Sequence, residues 1–518
     1  MGTSKITKDR VEEIRAGHKV LAEFHYEPPQ VEKGYAGQTL YVNVSENTIA
    51  IKPVDEKMKH TFTGGRGFDL WLLWNAVTGD TKWDSPENQI VISSGPIGGI
   101  TEYPGTGKSI AAAISPLTGA VIDSNAGGHF GPLLKFAGFD AIEVQGIADQ
   151  EVIVFVDGNE GLVQILKAPA ESVNSHIIAE EMVALFGKTP KEKQGVASVS
   201  SGMGAEHALM GCLNFSFYDV HRQVPRLKQA GRGGTGTVLR RKKVKALVVK
   251  YVGLKGDSNH PADLHRIQEA GAKMHREIYE QDSIMSQMRI DGTNHLTKIM
   301  SDYDILPVHN FRYGTRPEAE KIYSPHFQEY FAYDAPDGCW YGCTLACAKF
   351  VRGLELGTGP YKGQTVTVDG PEYETVAGIG ANCGLWNPHD VLETNFYCDT
   401  YGIDTISFST AMAFVMECYE EGILNKERTG GLELNFGNAD ALLQVLHQMA
   451  RGEGFGLVVG QGIRRMKKHF AEEYGADPQF LQDIGMECKG LEYSEYVTKE
   501  SLAQQGGYGL ANKGPQHD

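Results

Sequence analysis

The chain has 518 residues, of which 41% are hydrophobic and 22% charged, a composition typical of globular proteins with several domains. Its formal net charge of −16 argues against nucleic acid or anionic membranes as the main partner, because like charges repel. No apolar stretch reaches the roughly twenty residues that a transmembrane helix needs, and the N-terminus has no signal-peptide core. We therefore predict a cytoplasmic protein with no transmembrane segment and with reduced thiols, since eight cysteines are too few for a disulfide scaffold.

The N-terminal part of the chain is predicted to be rich in strands. Residues 1–33 are charged and predict a helical extension that ends at the stretch EPPQ. From residue 38, GQTLYVNVSENTIAIKPV predicts a hairpin of two alternating strands. Further strands are predicted, between Gly-, Pro- and Asn-rich turns, at NQIVISSG, SIAAAISP, DAIEVQG, EVIVFVDG, GVASVSS and KALVVKYVG.

The pattern changes from alternating to helical near residue 257. Helices are predicted over DSNHPADLHRIQEAGAKMHREIYEQDSIMSQMRI, HDVLETNFYCDTYG, TAMAFVMECYEEGIL and ADALLQVLHQMARG. The sequence therefore predicts an α+β protein with a β-rich N-terminal domain followed by mostly helical domains.

Three glycine clusters interrupt the β-rich part, TGGRGF at 63–68, SNAGGHFG at 124–131 and AGRGGTGT at 230–237. Glycine allows positive φ and close backbone approach, so such loops can present N–H groups to an anion. Arg66 and Arg232 each lie among glycines, where a guanidinium can contact a phosphate through two bonds. The clusters are either the cradle of a phosphate-bearing cofactor or three unrelated tight turns.

Three cysteines lie at four-residue intervals in DGCWYGCTLACAK, at Cys339, Cys343 and Cys347. A structural zinc site usually needs two pairs of ligands, and the other five cysteines are isolated. A compact triplet with one distant partner is typical of a [4Fe–4S] cluster. The alternative is that the cysteines share one turn by chance.

Carboxylates form two further groups that could be functional or could be ordinary polar residues at loop and helix ends. Glu372 and Glu374 lie on one face of GPEYET if that segment is extended, and CDTYGID places Asp399 and Asp404 around Gly402.

In this order, these segments resemble the tungsten-containing aldehyde:ferredoxin oxidoreductase family from about residue 36 onward. The resemblance rests on FTGGRGF, the series SGPIGG, SPLTG, SNAGGHFG and GFDAIEVQG, then AGRGGTGTV, the cysteine triplet, GPEYET and DTYGID. It implies a tungsten bis-pyranopterin, a neighbouring [4Fe–4S] cluster and a Mg²⁺ ion that bridges the pterin phosphates. It also implies an N-terminal extension at 1–35, a pterin-binding domain at 36–256, and helical domains at 257–482 and 483–518.

Carried over by position, the family's cofactor contacts fall on seven residues: Arg66, Gly95, Asn125, Arg232, Asp399, Gly402 and Asp404. The arginines would contact pterin phosphates or pyranopterin, and the last three match a D-x-x-G-x-D pterin motif. Glu374, and with it Glu372, would face the metal centre. The candidate proton donors are Glu374, His517 and His275.

The chain departs from the family pattern in two places. The usual spacing is C-x2-C-x3-C, so the extra residue displaces Cys339, which either stays on the cluster in a bulged loop or binds tungsten. The second D-x-x-G-L-C motif, which supplies the fourth cluster cysteine, is not present, and we expect that the chain is truncated before it.

Within this family, two segments, PDGCWYGC and the stretch from Cys488 to the end, resemble the catalytic subunits of ATP-independent (class II) benzoyl-CoA reductases. That resemblance implies reduction of the aromatic ring of an acyl-CoA, with electrons from an iron–sulfur subunit or ferredoxin in a larger complex. Two alternatives stay open: an enzyme that oxidises an aldehyde to an acid, and a non-enzymatic module stabilised by zinc or a cluster.

Overall fold

The structure is a computed structural model that describes residues 7–169, 174–280, 283–333 and 337–516. The strands of the two large sheets lie before residue 251, and long helices dominate the rest, so the predicted α+β class is confirmed. The predicted domain boundaries stay predictions. Within the described residues, no helix combines the length and the apolar character that crossing a membrane would require.

The first sheet has six strands, in the order Thr48–Pro53, Gln38–Asn43, Ala141–Gln145, Ile90–Ser93, Lys108–Ile114 and Val121–Gly127. The second and third of these run parallel, and the other neighbouring pairs are antiparallel. The hairpin predicted from residue 38 is confirmed, with Gln38 opposite Pro53.

The second sheet has seven strands, in the order Val20–His25, Leu162–Lys167, Val152–Asp157, Val244–Lys250, Val196–Ser200, Leu213–Asp219 and Val224–Ala230. Only Val152–Asp157 and Val244–Lys250 run parallel. The helices that accompany both sheets are Lys8–Gly17, Glu56–Phe62, Arg66–Ala76, Phe130–Phe136, Ser175–Phe186, Pro190–Gln194 and Thr235–Arg241, with 3₁₀ turns at Met203–Glu206 and Arg232–Gly234.

The two sheets share one apolar core, in which the helices Phe130–Phe136 and Thr235–Arg241 contact both of them. Alternation along the strands explains this arrangement, because successive side chains point to opposite faces. Ile90 and Ile92 face the shared core, whereas Val91 between them packs against Leu73 on the outer helix.

The prediction of a helical extension over residues 1–33 is wrong in part. The helix Lys8–Gly17 is present, but Val20–His25 forms a strand antiparallel to Leu162–Lys167. It is an edge strand with only one neighbour in the sheet, and most of its side chains are exposed or half-buried. Its sequence therefore lacks the continuous apolar character of a predicted inner strand such as Val152–Asp157.

The second half of the chain is built on helices at Leu264–Glu280, Ser283–Asp291, Leu296–Asp302, Pro325–Gln328, Tyr373–Thr375, Pro388–Tyr401, Thr405–Glu420, Ala439–Arg451, Gly456–Val459, Ile463–Tyr474, Pro478–Ile484 and Leu502–Leu510. Shorter elements are a π-helical segment at Val376–Asn382, 3₁₀ turns at Gly292–His295, Pro317–Ile322 and Thr498–Glu500, and two small hairpins, Phe350–Glu355 with Thr365–Asp369 and Glu487–Cys488 with Leu491–Glu492. Thr405–Glu420 is buried on almost all sides, which makes it the centre of this core.

Candidate active site

A cavity of about 380 Å³, called the main cavity below, lies where both sheets meet the helical half. Its volume is within the range of small-molecule and cofactor sites. Its wall is formed by Lys108, Ser124, Asn125, Ala126, Gly127, Cys212, Lys228, Gln229, Gly231, Arg232, Thr293, Cys347, Ala348, Lys349, Asp369, Gly370, Pro371, Glu372, Glu374, Thr375, Asn395, Asp399, Ile403, Asp404, Thr405, Ile406, Ser494 and Gln516.

The structure brings together only some of the predicted site residues. Those that line the main cavity are Asn125, Arg232, Cys347, Glu372, Glu374, Asp399 and Asp404. Those that lie elsewhere are Arg66, Gly95, His275, Cys339, Cys343 and Gly402. His517 lies outside the described residues.

Arg232 is held at the cavity wall by a glycine-dependent turn. Gly233 and Gly234 have φ of 80° and 77°, and a Cβ on Gly233 would lie 2.2 Å from the Ile122 side chain, so only glycine fits there. The Arg232 side chain donates to Ser494 Oγ over 3.1 Å, and its Nε lies 3.3 Å from Asp404 Oδ2. The guanidinium therefore joins the second sheet to the helical half at the cavity.

The D-x-x-G-x-D motif forms a corner between two helices. Asp399 lies in the last turn of Pro388–Tyr401, and Gly402 ends that helix with φ of 71°. A Cβ on Gly402 would lie 2.4 Å from the Gly202 nitrogen, so Gly402 allows the close approach of two backbones rather than facing the cavity. Asp404 begins the next helix and accepts from the N–H groups of its first turn. Both carboxyl groups consequently face the same space.

Burial gives the carboxyl groups of this corner unusual acidities. Burial, and then the neighbouring Asp369, raise the pKa of Asp399 well above its ordinary range. Burial also raises the pKa of Asp404, although Arg232 acts in the opposite direction. Asp369 behaves differently: burial raises its pKa, but Arg222 and Lys228 outweigh burial and hold that pKa below its usual range. The wall thus combines two carboxyl groups with a raised pKa, those of Asp399 and Asp404, with one that has a lowered pKa and favours the ionised form, that of Asp369.

Glu374 lies at the floor of the main cavity in the short helix Tyr373–Thr375 and is mostly buried. Its Oε2 accepts from the backbone N–H of Glu495 over 2.8 Å. The Glu495 side chain is fully buried and accepts from Ser409, Thr410 and Asn382. Burial and then Glu374 raise the pKa of Glu495 well above its ordinary range. Sequence reasoning missed Glu495, which lies 121 residues beyond Glu374 in the chain.

Arg66, the first residue of the helix Arg66–Ala76, and Gly95, in the loop after the strand Ile90–Ser93, lie outside the main cavity. Arg66 pairs with Asp123, with its Nε 2.7 Å from Oδ2, and its side chain is 45% exposed. The carbonyl of Gly95 accepts from the buried ammonium of Lys135 over 2.7 Å, and burial lowers the pKa of Lys135 to about 7. Asp123 precedes the lining residue Ser124, so Arg66 contacts a neighbour of the cavity wall but does not line the cavity itself.

The cysteine loop runs from Asp337 to Lys349 along the edge of the main cavity. A hydrogen bond from Cys339 lowers the pKa of the Cys343 thiol to about 5. Burial acts in the opposite direction, but the backbone N–H groups of Gly105, Leu345 and Ala346 lower this pKa further. The same bond, with burial, raises the pKa of Cys339, and burial raises that of Cys347. These surroundings favour the thiolate of Cys343, the form that binds metals.

Within the described residues, no three or more His, Cys, Asp or Glu side chains are grouped closely enough to hold a metal ion. The predicted set of Cys339, Cys343 and Cys347 is therefore not assembled around one point. The donor chemistry nevertheless fits a thiolate-bound cluster, because the Cys343 thiolate lies among backbone N–H groups and Cys339 bonds to it.

His275 supports the cysteine loop from outside. It lies on the helix Leu264–Glu280, where its Nε2 is 3.2 Å from the Glu102 carbonyl oxygen and its Nδ1 is 2.7 Å from Thr344 Oγ1. Since a carbonyl can only accept, Nε2 donates and Nδ1 accepts from the threonine hydroxyl in the neutral ring. His275 therefore contacts the loop that carries the cysteines, and not the main cavity.

The wall of the main cavity has the donors that an anionic cofactor requires. Lys108, Lys228 and Arg232 supply cationic groups, and Asn125 and Asn395 supply amides. Sequence reasoning missed Lys108, Lys228, Asp369 and Cys212. Lys108 belongs to the glycine-rich GTGKS and Asp369 directly precedes GPEYET, so both had a local signal, whereas Lys228 and Cys212 had none.

The chain matches two protein-family models. The N-terminal domain of aldehyde ferredoxin oxidoreductase matches residues 39–251, and domains 2 and 3 of that enzyme match residues 269–518. The tungsten-containing aldehyde ferredoxin oxidoreductase of Pyrococcus furiosus is 30% identical over 491 residues, which cover 93% of this chain and 74% of that protein. The aliphatic sulfonate oxidoreductase, WOR-like subunit, of the same organism is 26% identical over 488 residues, which cover 90% and 72%.

A solved structure shares the fold. It is the active-site complex BamBC of benzoyl-coenzyme A reductase with 1,5-dienoyl-CoA, with a TM-score of 0.70 and 19% identity. The match covers 90% of this chain and 66% of that one, so the present chain spans just under two thirds of its length. Together, the matched domains and the arrangement of the main cavity show that the chain belongs to the aldehyde ferredoxin oxidoreductase family, whose tungsten-containing members are oxidoreductases, and that it is itself an oxidoreductase.

Proposed function

We propose that this protein reversibly reduces the aromatic ring of benzoyl-CoA to a cyclic dienoyl-CoA, with a tungsten–pterin cofactor in the main cavity. One observation carries the proposal: Cys347 of the cysteine loop lines the same cavity as Arg232, Asp399 and Asp404. An iron–sulfur centre on that loop and a pterin on those residues would therefore lie next to each other, close enough for electrons to pass between them.

The residues around the main cavity divide into three groups by chemistry. Lys108, Lys228, Arg232 and Asn125 would bind the phosphates together with a Mg²⁺ ion, and Asp399 and Asp404 would accept from the pterin nitrogens. The cysteines would bind a [4Fe–4S] cluster. When bound, the tungsten bis-pyranopterin supplies two-electron chemistry and the cluster supplies single electrons.

Ring reduction also needs protons in a site from which bulk water is excluded. Glu374 is the proposed donor, because its carboxyl group is mostly buried at the cavity floor. The buried Glu495, which lies against it, would keep negative charge from building up there if it is protonated. His275 contacts the cysteine loop instead, so it is not proposed as a donor.

The choice of benzoyl-CoA is supported by the four-residue spacing of Cys339 and Cys343, by the segment after Cys488, and by the fold shared with the solved benzoyl-CoA reductase complex. A second candidate is oxidation of an aldehyde to its acid with ferredoxin as acceptor, which is favoured by the 30% identity to the Pyrococcus enzyme. Either reaction implies a cytoplasmic enzyme with an electron-transferring partner, in the first case within a larger complex.

Anaerobically purified protein tests both candidates. Elemental analysis for W, Mo, Fe and Zn comes first, and we expect tungsten and iron without zinc. The protein is then assayed with 1,5-dienoyl-CoA and an oxidised dye, and separately with benzaldehyde and the same dye. Formation of benzoyl-CoA with no benzoate supports the proposal. Benzoate alone would replace the proposal with the second candidate, and zinc without tungsten would rule out both.

A further inference from the structure

Two buried arginines and three aspartates form an ion network beside the cysteine loop, called the arginine clamp below. Its members are Arg222, Arg226, Asp219, Asp337 and Asp369. The arginines lie on or beside the edge strand Val224–Ala230 of the second sheet, and each side chain is only 4% exposed.

The clamp holds the chain directly before Cys339. Arg226 places one nitrogen 2.5 Å from Asp337 Oδ1 and donates from another to the carbonyl of Gly338 over 3.0 Å. Arg222 contacts the second oxygen of the same carboxylate. The two residues that precede Cys339 are thus fixed by three guanidinium contacts from one strand edge.

The clamp also holds the chain after the loop and the wall of the main cavity. The Arg222 guanidinium lies 3.6 Å from the ring centre of Phe350, the first residue of the strand that follows the loop. Another nitrogen of Arg222 lies 2.6 Å from Asp369 Oδ1, and Asp369 lines the cavity. Arg222 therefore contacts the beginning of the cysteine loop, the chain after it, and the wall of the main cavity.

The loop is packed tightly at its first two cysteines. A Cβ on Gly338 would lie 2.9 Å from the Cys343 carbonyl oxygen, and a Cβ on Gly127 would lie 3.2 Å from Cys339 Sγ. Cys339 does not line the main cavity, whereas Cys347 does. The chain before Cys339 is thus pressed against Cys343, despite the extra residue between them.

We propose that Arg226, assisted by Arg222, is a positioning residue that keeps Cys339 beside Cys343 as a ligand of the iron–sulfur cluster. The inference rests on the proposed function, because it requires a cluster on this loop. The rigid, planar guanidinium presents its nitrogens in fixed directions toward the Asp337 carboxylate and the Gly338 carbonyl, whereas the ammonium of a lysine at position 226 would hold neither in a fixed orientation. Cys339 would accordingly serve the cluster, and not tungsten.

The test uses the anaerobic holoprotein and the variants Arg226→Gln and Arg226→Lys. Arg240→Gln is the matched control, because the Arg240 side chain is also buried, at 6% exposure, and pairs with Glu151 and Glu206, which belong to neither the cysteine loop nor the arginine clamp. The readouts are iron per chain, the EPR spectrum of the dithionite-reduced protein and the rate at which a chelator removes iron. A change of a ligand-supporting residue typically alters metal affinity about 10–100-fold.

We expect Arg226→Gln to lose iron about 10-fold faster or more than wild type, with an altered EPR spectrum, and Arg226→Lys to be intermediate. Arg240→Gln should keep the wild-type iron content and spectrum, although it loses a comparable ion pair. Equal iron loss in Arg226→Gln and Arg240→Gln would overturn the inference, because the effect would then be general destabilisation. Wild-type spectra and iron release in both Arg226 variants would overturn it while leaving the proposed function intact. Iron-free wild-type protein would overturn the proposed cluster and this inference together.

Discussion

The segments TGGRGF and AGRGGTGT have the same local pattern, an arginine among glycines, yet the structure gives them different surroundings. Arg66 of the first is 45% exposed at its side chain and pairs with Asp123, whereas Arg232 of the second is buried between Asp404 and Ser494. The glycines permit a tight turn in both places. The partner that each arginine finds is decided by elements far away in the chain, so the pattern predicts a turn and not the depth of its arginine.

The largest expected effect follows from the burial of Arg232. Arg232→Met would leave the Asp404 carboxylate buried without its cation, which typically costs about 3–5 kcal/mol of unfolding free energy. Urea denaturation of the cofactor-free protein measures this cost. If the midpoint of Arg232→Met shifted no more than that of Arg66→Met, the proposed difference between the two segments would be wrong.

A pH effect of similar size is expected at Glu492, whose backbone carbonyl accepts from Arg232. Burial raises the pKa of Glu492 from 4.5 to about 7, so the folded state holds this proton more tightly than the unfolded state. Stability should therefore fall as the pH rises from 4.5 to 7, by about 3 kcal/mol at about 1.4 kcal/mol for each pKa unit.

The change Glu492→Gln should remove this part of the pH dependence and stabilise the protein above pH 7, since an amide has no proton to lose in that range. Denaturation midpoints at pH 5, 6 and 8 for both proteins measure it. An identical pH dependence in wild type and variant would show that Glu492 is not the titrating group.

A smaller effect is expected for cofactor retention. Arg232→Lys should lower tungsten per chain about 10-fold, because a point charge cannot reproduce the guanidinium contacts at the cavity wall. Arg66→Lys, at a residue that does not line the cavity, should retain tungsten at the wild-type level. Elemental analysis of protein produced in parallel compares them, and a loss in both variants would place Arg66 in the cofactor cradle too.

The smallest effect is expected for the stability change caused by Arg66→Met. An ion pair with a partly exposed partner contributes about 0–1 kcal/mol, and it is weakened by salt. The same denaturation series at low salt and at 1 M salt measures both the size of this contribution and its weakening by salt. At 1 M salt the Debye length is only about 3 Å. A loss above that range, unaffected by salt, would mean that Arg66 is as strongly coupled as Arg232.

The sequence was most informative where side-chain alternation and burial agree. Most inner strands of the two sheets were predicted because their apolar residues face a core, but the inner strands Leu162–Lys167 and Leu213–Asp219 were missed. Val20–His25 was missed as well, because an edge strand tolerates polar residues on both faces. Local patterns also predicted the hairpin that ends at Pro53 and the change from strands to helices after residue 257.

The candidate site was predictable only in part, and the reason is distance along the chain. Asn125, Arg232, Asp399 and Asp404 belong to recognisable motifs and lie at the main cavity. Lys228 reaches the cavity because its strand forms the edge of the second sheet, which no local pattern reveals. Gly402 shows the converse, since it belongs to a recognisable motif but serves the close approach of two backbones. His275, predicted as a proton donor, instead contacts the outside of the cysteine loop.

The wall of the main cavity draws on residues from Lys108 to Gln516. During synthesis on the ribosome, the β-rich half emerges long before Asp404, Ser494 and Gln516, so the wall cannot be complete while those residues are still untranslated. Insertion of the proposed cofactor would consequently follow the synthesis of these residues, and would not accompany the folding of the β-rich half.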